Sequence, residues 1–131
     1  MSHHALALFL IFIGGGVGSM ARHIVNQVSA ATVGVDFGWG TVFVNILGSF
    51  VMGAVAGWFA LKADAGQLLR LFLTTGVLGG FTTFSAFSLD AVLLWQRGNT
   101  ASAILYVVGS VLLSLLSLVA EMSIVKAMIS L

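Results

Sequence analysis

Gly79-Gly80-Phe81-Thr82-Thr83-Phe84-Ser85-Ala86-Phe87-Ser88 lies in the middle of a run, Leu71 to Leu89, without one charged residue. Each glycine weakens a helix by about 1 kcal/mol relative to alanine, and hydroxyl and aromatic side chains follow the pair closely. In water such a stretch reads as an ordinary loop. In a bilayer, backbone that is not helical survives only where protein or a polar cavity surrounds it. Read that way, the stretch predicts a broken helix beside an ion path.

The composition places it in a bilayer. Of 131 residues, 60% are hydrophobic and only 7% are charged, and mean hydropathy is +1.15. A soluble domain carries about 25% charged residues. Crossing the hydrocarbon takes about 20 apolar residues, and four segments qualify: Ala5 to Val28, Gly40 to Leu61, Leu68 to Leu94 and Ala101 to Ile129. The first carries Arg22 and the last Glu121 and Lys126, so both are expected to overrun the hydrocarbon. The expected fold is all-α: one four-helix transmembrane domain over residues 1–131, with a glycine-broken third helix, multi-pass in a bacterial inner membrane.

Several function classes fall away. The start Met1-Ser2-His3-His4 has no Lys or Arg, unlike the basic start of a signal peptide, so the first segment is expected to stay as a span. Without cysteine there is no disulfide, thiolate metal site or sulfur nucleophile. His3 and His4 alone make a poor metal site. A net charge of +1 offers no patch for nucleic acid. Gly16-x-Gly18-x-x-Ala21 with Asp36 imitates a dinucleotide fingerprint, but that motif needs a βαβ unit and no strand alternation exists here. A serine triad needs a histidine base held by a carboxylate; His3, His4 and His23 lie at the terminus or after the first span. A proton pump wants ionisable groups at mid-membrane, and Asp90 and Glu121 lie near helix ends. No enzyme is expected.

Basic residues set orientation. Lys62, Arg70 and Lys126 fall on one side of a four-span chain, Arg22 and Arg97 on the other. Such balance would permit insertion both ways up and an antiparallel homodimer; chance produces the same balance, and the count leaves both readings open. Short polar stretches mark turns at Asn26 to Gly38, Lys62 to Gln67 and Gln96 to Thr100. Trp39 and Trp58 bracket the second helix at about 28 Å, and Trp95 marks an end of the third. Gly14/Gly18, Gly53/Gly57 and Gly76/Gly80 have the four-residue spacing that lets backbones approach in lipid. Gly79-Gly80, whose members lie on different faces, falls outside that explanation.

The helix centres hold neutral hydrogen-bonding groups. Asn45 lies in the second span; Tyr106, Ser110, Ser114 and Ser117 recur at helical spacing on one face of the fourth; Thr83, Ser85 and Ser88 come from the third. A single such hydroxyl ordinarily bonds its own helix or a neighbour. An aligned stripe with an asparagine and a glycine break favours a permeation path. Hydroxyl and amide hydrogens suit an anion, as do aromatic edges, which carry partial positive charge; Phe84 and Phe87 can share a face. Packed by their faces, those rings would be mere core. Arg22 could draw anions to a mouth or simply snorkel to the headgroups.

At these residues the chain resembles the Fluc (CrcB) fluoride channels along nearly its whole length. Gly14 to Arg22 is similar to that family's first-helix motif, Gly40-Thr41 through Asn45 to Gly48 to its second, and Thr75 to Ser88 to its third. The resemblance implies a dual-topology homodimer with two antiparallel pores that exports fluoride passively. It implies pore roles for Phe84, Phe87 and Asn45, and a polar track of Thr83, Ser85, Ser88, Ser110 and Ser114, with Tyr106 as the fourth-helix tyrosine. It further implies a structural sodium ion at the dimer interface, on the backbone carbonyls of Gly79 and Thr82. Asp90 departs from the glutamate usual there, and Glu121 matches no family role. The competing class is a small dual-topology multidrug or cation exporter. That would need a carboxylate within the first helix, and Ala5 to Met20 has none.

Overall fold

Four apolar runs without a proline give four membrane-length helical spans in the computed structural model, which describes residues 2–62 and 66–130. Helix α1 covers His3–Thr32 and starts at Ser2, whose Oγ accepts the Ala5 N–H at 3.2 Å. At 1.5 Å per residue it is about 45 Å long, longer than the roughly 30 Å of hydrocarbon. The first turn is therefore shorter than its polar composition suggested. Asn26, Gln27 and Ser29 stay helical because no glycine or proline intervenes before Gly34.

Helix α2 spans Trp39–Leu61. Lys62 ends it and lies over the Trp58 ring, 5.7 Å from the centroid; residues 63–65 of the following turn lie outside the described residues. The third span, Gln67–Gln96, comes in pieces: α3 (Gln67–Leu71), a π-helical segment (Phe72–Leu78), α4 (Gly79–Phe81) and α5 (Phe84–Gln96). Helix α6 covers Thr100–Ile129. Between α5 and α6, Gly98 takes φ +78° and the Asn99 N–H returns to the Leu94 carbonyl, the left-handed closure that favours glycine after a helix.

The third span is broken as expected, but not at its glycines. Gly79 is helical, with φ −63° and ψ −36°. The extended residues are Thr82 (φ −82°, ψ 158°) and Thr83 (φ −152°, ψ 124°), β-branched residues at ease in that backbone. Gly80 serves packing instead, because an added Cβ there would collide with the Gly15 carbonyl of α1. Gly14, Gly18 and Gly76 play the same part at this crossing, and Gly53 and Gly57 let α2 close on the Leu118 and Met122 carbonyls of α6. The π segment lies where α1 presses hardest: a Cβ on Gly14 would stand 2.9 Å from the Phe72 carbonyl oxygen.

So α1 packs on the first half of the third span, and α6 packs along α2 and against α5. One small core forms from Phe87, Leu94, Ala103 and Tyr106, with Phe37, Val42 and Ala91 against it. Most large apolar side chains point outward, as helices bathed in lipid require. Trp39 and Trp95 are exposed near helix ends, where tryptophan favours the membrane interface.

Candidate ion-permeation site

The break is held from a distance. Asn45, in the first half of α2, donates from Nδ2 to the Thr83 carbonyl at 2.9 Å and accepts the Thr83 N–H on Oδ1 at 2.8 Å. The two bonds face a backbone donor and a backbone acceptor, which fixes the orientation of the carboxamide. A side-chain amide has two N–H donors, so one remains for another partner. Thr83 then opens α5: its Oγ1 accepts the Ala86 N–H at 3.2 Å and lies 3.3 Å from Ser85 Oγ.

Two backbone carbonyls lose their helical donors in consequence. In a continuous helix the Thr83 N–H would bond Gly79 and the Ala86 N–H would bond Thr82. These donors go to Asn45 and to the Thr83 hydroxyl. Gly79 lies on an exposed face, and a Cβ there would meet only the Thr74 carbonyl oxygen, at 3.4 Å.

An open groove of about 380 Å³ runs between α2, the break and α6. Six of the residues expected on the ion path line it: Asn45, Thr83, Phe84, Phe87, Ser110 and Ser114. No ionisable side chain among the described residues does. Ser110 Oγ is buried there and has no hydrogen-bond partner among the described residues, where a serine with a merely structural role would bond its own helix. The Phe84 and Phe87 rings lie 5.4 Å apart, tilted by 44°. Phe84 is 78% exposed and overhangs the groove, whereas Phe87 is buried. Tyr106 stacks on Phe87 at 5.6 Å and 17°, so Phe87 meets the groove while packed between Tyr106 and Phe84.

The remaining expected residues lie elsewhere. Tyr106 is buried behind Phe87 and donates its hydroxyl to Asp90 Oδ2 at 3.0 Å. Ser85 reaches the groove only through Thr83, and Ser88 bonds the Phe84 carbonyl of its own helix at 2.9 Å. Arg22 lies on α1, which contributes nothing to the groove. Conversely, Ser49 and Met52 line it and were missed. They follow Asn45 by four and seven residues, the repeat of a single helix face, and that periodicity would have found them.

Known proteins resemble this chain along most of its length. A family model described as CrcB-like protein, Camphor Resistance (CrcB), matches residues 9–122. The chain is similar to a protein of Rhodopseudomonas palustris named fluoride-specific ion channel FluC, with 51% identity over 122 residues, 93% of this chain and 98% of that one. It is 50% identical to fluoride-specific ion channel FluC 2 of Nitrobacter hamburgensis, over 89% of this chain and 94% of the relative. A FluC protein of Granulibacter bethesdensis is also 50% identical, over 95% of this chain and 98% of the relative.

Proposed function

This chain belongs to the CrcB-like family, and from that premise we propose that it is a fluoride-selective channel through which fluoride leaves the cytoplasm passively. It is a multi-pass protein of the bacterial plasma membrane. One observation carries the reading: Asn45, a buried Ser110 hydroxyl without a partner among the described residues, and two phenylalanines line a groove that no ionisable side chain among the described residues enters.

Fluoride must exchange its hydration shell for something comparable. The free N–H of Asn45 and the Ser110 hydroxyl supply donors, and Thr83 and Ser114 continue the polar lining. The rims of Phe84 and Phe87 offer weak positive potential. A lysine or arginine in the groove would trap the ion, and conduction requires binding weak enough to release. No pump is needed, because one charge crossing the membrane gains about 2.3 kcal/mol per 100 mV.

The groove is open on one side, and the working unit in this reading is an antiparallel, dual-topology homodimer with two pores. Phe84 supports it: a ring 78% exposed beside the groove stands where a second copy would close the path. The same dimer would bring the Gly79 and Thr82 carbonyls of both copies together. Their missing helical donors fit a sodium ion, which when bound would balance the oxygen dipoles facing one another across the interface.

Purified protein in potassium-loaded liposomes tests the function. With a potassium ionophore added, fluoride should leave and chloride should stay. Retention of fluoride would refute the channel, and uptake of a lipophilic cation driven by a pH gradient would favour a small multidrug exporter.

A further inference from the structure

We infer that Phe37, on the loop between α1 and α2, is a positioning residue for Tyr106 and, through it, for Phe87 at the groove. The inference rests on the channel reading for its functional consequence, and on geometry alone for the contact. Tyr106 is 1% exposed and is held on three sides. Its face stacks on Phe87, its hydroxyl donates to Asp90 Oδ2, and its ring meets Phe37 at 5.4 Å and 82°.

Phe87 and Asp90 are three residues apart on α5 and share a face. They fix Tyr106 at one ring face and at the hydroxyl. An edge contact from a third direction hinders the ring from turning about its own axis, and among the aromatic rings of the described residues Phe37 supplies it. Phe37 does not line the groove, so any effect on the ion passes through Tyr106 and Phe87.

The loop is built to aim that ring. Gly38 takes φ +74°, a left-handed conformation that costs a side-chain-bearing residue dearly and glycine little. A Cβ at Gly38 would also stand 2.7 Å from Asp90 Oδ2. The backbone thus closes onto the very carboxylate that Tyr106 uses. On its outer side Phe37 packs on Trp39, centroids 4.5 Å apart, and Trp39 is half exposed at the start of α2. A chain of rings, Trp39, Phe37, Tyr106, Phe87 and Phe84, joins the membrane boundary to the ion path.

Tyr106 is the sole tyrosine, so tyrosine labelled with carbon-13 at both ε positions reports this ring alone in the full chain. In fluoride buffer the clamped wild-type ring should give two ε-carbon lines, one for each side. Phe37→Leu keeps bulk but removes the aromatic edge. The lines should merge as the ring turns, and liposome fluoride efflux should fall by about tenfold, the scale of one lost aromatic pair. Phe37→Trp retains an edge and should restore both lines and most of the efflux; it also decides the matter if the leucine variant does not fold. A single wild-type line, separate lines in Phe37→Leu, merged lines in Phe37→Trp, or merged lines with wild-type efflux would each overturn the assignment. If wild-type vesicles hold their fluoride, the channel reading fails, while the line pattern still decides whether Phe37 clamps Tyr106.

Discussion

Asn45→Asp should lower fluoride efflux by at least about a hundredfold, the largest loss expected of any single replacement in the groove. A fixed negative charge about 4 Å from a passing anion opposes it by about 4 kcal/mol at an effective dielectric of about 20, and about 1.4 kcal/mol already changes a rate tenfold. The charge would stand where the anion passes. The replacement also deletes both N–H donors, the one on the Thr83 carbonyl and the other on a side chain that lines the groove. The carboxylate can still accept the Thr83 N–H, so half of the clamp survives and the protein should assemble. Size-exclusion chromatography beside liposome efflux separates the effects. An assembled variant with wild-type efflux would remove Asn45 from the path.

Phe84→Ile should be the second-largest loss, about tenfold or more, the upper range for one aromatic interaction. Isoleucine keeps the position apolar and bulky but has no rim of partial positive charge. The ring is 78% exposed and its one recorded aromatic partner is Phe87, so little internal packing is at stake. The variant should therefore elute as wild type and melt at nearly the same temperature while efflux falls. Unchanged efflux would mean that Phe84 only packs against a partner or lipid.

The four spans were legible from composition, because nothing but length and apolarity decides whether a helix crosses lipid. That the third span is interrupted was legible too. Where it is interrupted was not. Glycine's weakness as a helix former is local, but at Gly80 it is overridden by the approach of α1. The extended state of Thr83 is fixed by Asn45, 38 residues away, and no local propensity encodes a clamp from another helix. The π segment is similarly a product of crowding against Gly14 and Gly18.

For the groove, spacing along α6 placed Ser110 and Ser114 together, and the motif of the third span placed Thr83, Phe84 and Phe87 with them. Hydroxyls are harder to sort. Ser88 and Ser110 look alike in sequence, yet one bonds its own backbone and the other has no partner among the described residues. Side-chain direction settles that, and sequence does not show it. The importance of Phe37 was invisible for a related reason: a loop residue gains it only when Gly38 turns the ring onto Tyr106.

The most direct test of the groove as a dehydrating path for one small anion is the zero-current voltage of reconstituted planar bilayers, with opposed fluoride and chloride gradients and a pH difference. The voltage should sit at the fluoride equilibrium potential and ignore chloride and protons. A voltage that follows chloride, or that moves with the pH difference, would contradict it.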